Sequence, residues 1–90
     1  MTPEQEVLRG GLAADVLGNP VYQEAFTTID TALVKLWRDS RDAGDREDLH
    51  KMIGLLGRVQ AHMQAVMTNG QITEKEILRK RNFAERIGLR

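Results

Sequence analysis

The side chains best suited to acid–base chemistry or metal ligation in this 90-residue chain are its two histidines, His50 and His62. Twelve residues apart on one predicted helix, they stand about 18 Å from each other. That spacing rules out a shared metal within one chain, and a general base needs partners within hydrogen-bonding reach. Both are therefore read as helix-surface residues, His62 at the edge of an apolar seam. The carboxylates offer no Glu-x-x-His pair of the type that builds di-iron sites in bundles and no Asp-rich calcium loop. Asp42, Asp45 and Asp48 recur every third residue around a predicted loop; they fit two loop acids and a helix start better than a weak cation site. Gly54-Leu55-Leu56-Gly57 falls inside a helical pattern and matches no phosphate-binding loop. Cysteine is absent, which removes disulfides, thiolate metal sites and thiol nucleophiles. These residues predict a protein that is not an enzyme and that uses no cofactor or metal.

The elements that position these side chains are helical. Tyr22, Phe26, Ile29, Leu33 and Leu36 advance by steps of three and four, as do Leu49, Met52, Leu56, Val59, Met63 and Val66. Such spacing keeps each set on one helix face. Phe26, Leu33, Leu56 and Met63 are the expected centre of the contact between them. Thr2, Pro3 and Gln5 form a capping-box start for a first helix whose apolar stripe is Leu8, Leu12 and Val16, with Ala13 and Leu17 beside them. Gly18-Asn19-Pro20 reads as a left-handed stop followed by a capped restart. Ser40–Gly44 is the expected hairpin loop, and Asp45 the expected cap of the next helix. Asn69-Gly70 predicts another stop, and Thr73 with Glu76, between Ile72 and Ile77, predicts another capped start. No segment alternates with a period of two. The expectation is an all-α fold: an antiparallel hairpin of helices at about 20–39 and 46–68, flanked by a helix at about 3–17 and a basic helix at about 74–87. Residues 1–90 form one domain in this reading, with 71–90 as a candidate protruding arm.

Two surfaces remain once the seams are paired. Gly54, Gly57, Ala61 and Ala65 form a small-residue stripe. Glycine is unfavourable inside a helix unless a backbone must come close, so the stripe calls for a neighbour: Trp37, the first helix, or another subunit. The second surface is the tail. The chain as a whole is neutral, with 13 bases and 13 acids. From 71 onward, Lys75, Arg79, Lys80, Arg81, Arg86 and Arg90 outnumber Glu74, Glu76 and Glu85, a net charge of +3. Arg79, Lys80, Arg81 and Arg86 are candidate contacts for nucleic-acid phosphates or an acidic partner, and equally fit solvated charge at a helix C-terminus. The longest apolar run is far short of a membrane span of ~20 residues, and the acidic start does not resemble a signal peptide. The expected setting is the cytoplasm.

Asn19-Pro20, Gln23-Glu24-Ala25-Phe26, Trp37 followed by Arg38, Arg41-Asp42, Arg46-Glu47, Leu49, Val59, His62 and Asn69-Gly70 together resemble a group of short helical proteins encoded by tailed bacteriophages and prophages near packaging and head genes. The match covers roughly residues 12 to 78 and excludes the basic tail. It implies a helical hairpin and carries no catalytic residue. With this resemblance, the expected function is that of a non-enzymatic virion, assembly or packaging accessory, located in the host cytoplasm or the virion. It would act by self-association or by docking on a larger phage protein through Gly54, Gly57, Ala61, Ala65 and Trp37. The alternative is a DNA-associated packaging or regulatory factor that uses the basic tail.

Overall fold

A computed structural model describes residues 1–88. They form three helices, α1 (Pro3–Leu17), α2 (Pro20–Asp39) and α3 (Ala43–Arg86), with no strand among the described residues. Arg90 of the basic tail lies outside them. The fold is all-α, as the spacing predicts.

Local chemistry sets most of the boundaries. The Thr2 hydroxyl accepts from the Gln5 amide at 3.2 Å, and the Gln5 side chain accepts from the Thr2 amide at 2.9 Å. This reciprocal pair starts α1. Asn19 starts α2 by accepting from the Val21 and Tyr22 amides. Gly18 closes α1 in an ordinary right-handed conformation, with φ of −84°, rather than the expected left-handed one. The Gln23 side chain donates to the Leu17 carbonyl at 2.9 Å, so α2 itself satisfies the end of α1. Helix α3 begins three residues earlier than expected: Asp42, not Asp45, is its cap, accepting from the Asp45 amide at 2.8 Å. Gly88, with φ of 82°, lies just beyond the C-terminus of α3 in the left-handed region.

The largest departure from expectation lies at Asn69-Gly70. Instead of ending one helix and preceding a fourth, these residues continue α3 without a break through 44 residues, roughly 66 Å. The capping set beyond them has other uses. Thr73 donates its hydroxyl to the Glu6 carboxylate at 2.9 Å, and Glu76 pairs with Arg79 at 2.7 Å. The physical reason is a tertiary contact. A Cβ built on Gly70 would stand 2.8 Å from the Cα of Gly10 and 3.0 Å from the Glu6 carbonyl oxygen. Gly70 is glycine because a second backbone crosses it, and that use keeps the helix intact where a terminating use would end it.

Helices α1 and α2 both run antiparallel to α3, α1 along its C-terminal half and α2 along its N-terminal half, and they barely touch each other. The α1–α3 contact is much the denser of the two. The result is a rod of 69 × 24 × 18 Å, two helices thick along most of its length. Two helices side by side have no interior, and Ala13 is the one buried apolar side chain among the described residues. The accessible surface is 7169 Å², against about 5,300 Å² for a compact monomer of this mass. The radius of gyration is 19.9 Å, against about 12 Å for a compact chain of this length.

Phe26, Leu33, Leu56 and Met63 do lie between α2 and α3, but half-buried. Leu33→Ala or Leu56→Ala is therefore expected to lower stability by about 1–2 kcal/mol, below the range for fully enclosed leucines. Urea unfolding monitored by circular dichroism measures it.

Candidate interaction surfaces

Each apolar seam divides in two. On α2, Tyr22, Phe26, Leu33 and Trp37 turn toward α3, while Ile29 and Leu36 are exposed. Ile29 and Leu36 join Val21, Ala25 and Ala32, all exposed, in an outward stripe at steps of four, four, three and four. On α3, Leu49, Leu56 and Met63 face the hairpin partner, while Met52, Leu55 and Val59 are exposed. At 100° per residue, the outward stripe sits about 90° from the hairpin contact on α2 and about 70° from it on α3, in the same rotational sense. Because the helices are antiparallel, the two rotations carry both stripes to the same side. Leu36 and Met52 accordingly line one shallow depression near the loop. The hairpin thus presents a two-helix apolar face to solvent, with Val21 73% and Val59 57% exposed.

On helix α1 the two sides of the stripe part company. Its stripe of large residues, Leu8, Leu12 and Val16, points away from α3, and Leu12 is 57% exposed. Val7, Gly10, Ala13, Ala14 and Leu17 make the contact instead. Small residues on this face allow the close crossing of Gly10 on Gly70, which larger ones would prevent. Helix α1 meets α3 along Val66, Gly70 and Thr73. Those residues lie on the same row of α3 as Met52, Leu55 and Val59, continued at helical spacing. One end of that row is covered by α1, and the other is bare.

The small-residue stripe has no neighbour among the described residues. Gly54 and Gly57 have no atom within 4 Å of a built Cβ, and Ala61 and Ala65 are exposed. Neither Trp37 nor α1 covers them. Trp37 is engaged at the hairpin turn: the Arg46 guanidinium lies 4.6 Å from its ring centroid and donates to the Trp37 carbonyl at 2.6 Å and the Ser40 carbonyl at 3.1 Å. With open space around it, Gly57→Ala is expected to stabilise the folded chain by about 1 kcal/mol through helix propensity. Denaturant titration reads the gain directly.

Near the C-terminus, Lys75, Leu78, Arg79, Lys80, Asn82, Phe83 and Arg86 line one groove. Arg86 lies 5.6 Å from the Phe83 ring centroid. Arg81 is not part of this groove, and on the helical wheel it falls well away from Arg79 and Arg86. The basic face therefore includes Lys75, which the fourfold set of candidate contacts omits, and it lacks Arg81. From Leu78 to Gly88 every residue is exposed except Ala84, which is half-buried.

His50 and His62 are both exposed, and Asp42 and Asp45 are occupied in starting α3. Among the described residues no group of three His, Cys, Asp or Glu side chains could hold a metal ion, and no helix is long and apolar enough to cross a membrane. What the arrangement can do is pack: it offers helical faces of large apolar residues beside a polar, charged remainder. Leu55 and the Val21–Ala25–Ala32 row lie outside the two seams, although their helical spacing is visible in the sequence. The chain matches no protein-family model, no curated protein and no solved structure.

Proposed function

We propose that this chain is a non-enzymatic assembly protein that completes its fold by packing against other copies or a larger partner, as an accessory of a tailed-phage particle. The observation that carries the packing role is the rod itself: one buried apolar side chain among the described residues, and about a third more surface than a compact monomer of equal mass. Exposed apolar patches of this extent mark interaction surfaces. The phage setting rests on the resemblance of residues 12 to 78. Size-exclusion chromatography with light scattering is expected to give a mass of two or more chains at micromolar concentration. A strict monomer at high concentration, together with no binding to phage structural proteins, overturns the proposal.

The exposed basic face favours one second reading, contact with nucleic-acid phosphates through Lys75, Arg79, Lys80 and Arg86. Neutralising those four should abolish any retardation of duplex DNA, and the binding should weaken steeply with salt. No retardation at low salt removes this reading.

A further inference from the structure

We infer that the apolar face of the α2–α3 hairpin is the seat of a second copy of this chain, laid on it in reverse so that the two hairpins form a four-helix core. This rests on the self-association proposed above and names its surface and geometry.

Three observations select the occupant. The first is area. Each chain exposes about 1,900 Å² more than a compact monomer, so a pair has about 3,700 Å² in excess, within the 2,000–5,000 Å² typical of obligate homodimers. The second is composition. The stripes on α2 and α3 lie on one side of the hairpin with no charged residue within either; Asp39, Asp45 and Asp48 border them at the loop end, where Leu36 and Met52 meet, and His62 ends the α3 stripe. A single patch of this kind is self-complementary under a two-fold axis. The third is the position of α1. It occupies the Val66–Gly70–Thr73 end of the same α3 row whose Met52–Val59 end is bare, leaving a step one helix deep.

The step fixes direction. A parallel second copy would bring the two α1 helices to the same level on facing surfaces, where they collide. A reversed copy sets its hairpin in the step, in line with α1, and carries its own α1 past the loop of the first chain. The two-fold axis then crosses the hairpin near Ile29 and Ala32. α2 faces its mate antiparallel, and α3 does the same. Around that axis Ala25 of one copy lies level with Leu36 of the other, whereas Leu36 and its own mate are ~17 Å apart along the rod.

The absence of cysteine makes single-cysteine cross-linking unambiguous. With a short bismaleimide, the Ala32→Cys protein should cross-link to itself in high yield. Leu36→Cys alone should not, whereas a mixture of Leu36→Cys with Ala25→Cys should. Self-linkage of Leu36→Cys, or none at Ala32→Cys, overturns the reversed arrangement. Ile29→Lys combined with Leu55→Lys alters only exposed positions, so the chain should remain helical by circular dichroism while its mass falls to that of one chain. If that variant keeps the wild-type oligomer mass, this face is not the interface even though self-association stands; if the wild-type protein is itself a monomer, both proposals fall.

Discussion

Gly70→Leu should release α1 from α3 and lower stability by at least about 3 kcal/mol, the upper part of the range for overpacking a tight contact. A Cβ on Gly70 meets the Cα of Gly10 at 2.8 Å, and a Cβ on Gly10 meets Gly70 at the same distance. Both obstacles are backbone, so neither can swing aside as a side-chain tip would. Even Gly70→Ala, favoured by helix propensity, should lose more through this clash than the ~1 kcal/mol it gains. The Glu6–Thr73 hydrogen bond, which depends on the same approach, should be lost with it. Amide exchange provides the check: protection should vanish over 3–17 while α2 and the first half of α3 keep theirs. An α1 that stays protected in Gly70→Leu would show that the crossing is not what holds it. Gly57→Ala, in open space, is the matched control of opposite sign.

Arg46→Ala is expected to cost about 2–3 kcal/mol, because one side chain performs two tasks at the hairpin turn. Its guanidinium satisfies the Trp37 and Ser40 carbonyls at the end of α2, where the helix has no further amides to offer, and it covers the indole ring. Arg46→Lys should recover only part of the loss, since an ammonium lacks the planar fork that bonds and stacks together. Arg41→Ala, on an exposed residue of the same turn, should stay within about 0.5 kcal/mol of the parent. Thermal unfolding of the three variants and the parent distinguishes these outcomes.

Much of the fold is legible in the sequence because it depends on local chemistry. Thr2 with Gln5 and Asn19 with Pro20 act within three or four residues, and the structure uses both as their positions imply. Asn69-Gly70 is the instructive contrast. A glycine serves equally as a helix terminator or as a place for another backbone to cross, and only the arrival of Gly10, sixty residues away in the chain, decides between them. The stripe on α1 is ambiguous for a related reason. Spacing identifies Leu8, Leu12 and Val16 as one face but does not say whether that face turns inward, and the small residues opposite them pack closer. The basic tail is visible as charge, and its division into a groove lined by Lys75 and Arg79 and an excluded Arg81 follows from helical spacing over 75–86.

The bond between Glu6 and Thr73 joins residues 67 apart, about three quarters of the described length of the chain. During synthesis α1 leaves the ribosome well before the stretch of α3 on which it docks. Closing so long a loop is slow compared with forming a neighbouring hairpin. The α2–α3 hairpin can therefore form while α1 still waits with its glycine face uncovered, and docking of α1 becomes the closing step of maturation. A released chain truncated before Gly70 would carry a competent hairpin and an idle first helix, a state that limited proteolysis should detect as a cut confined to α1.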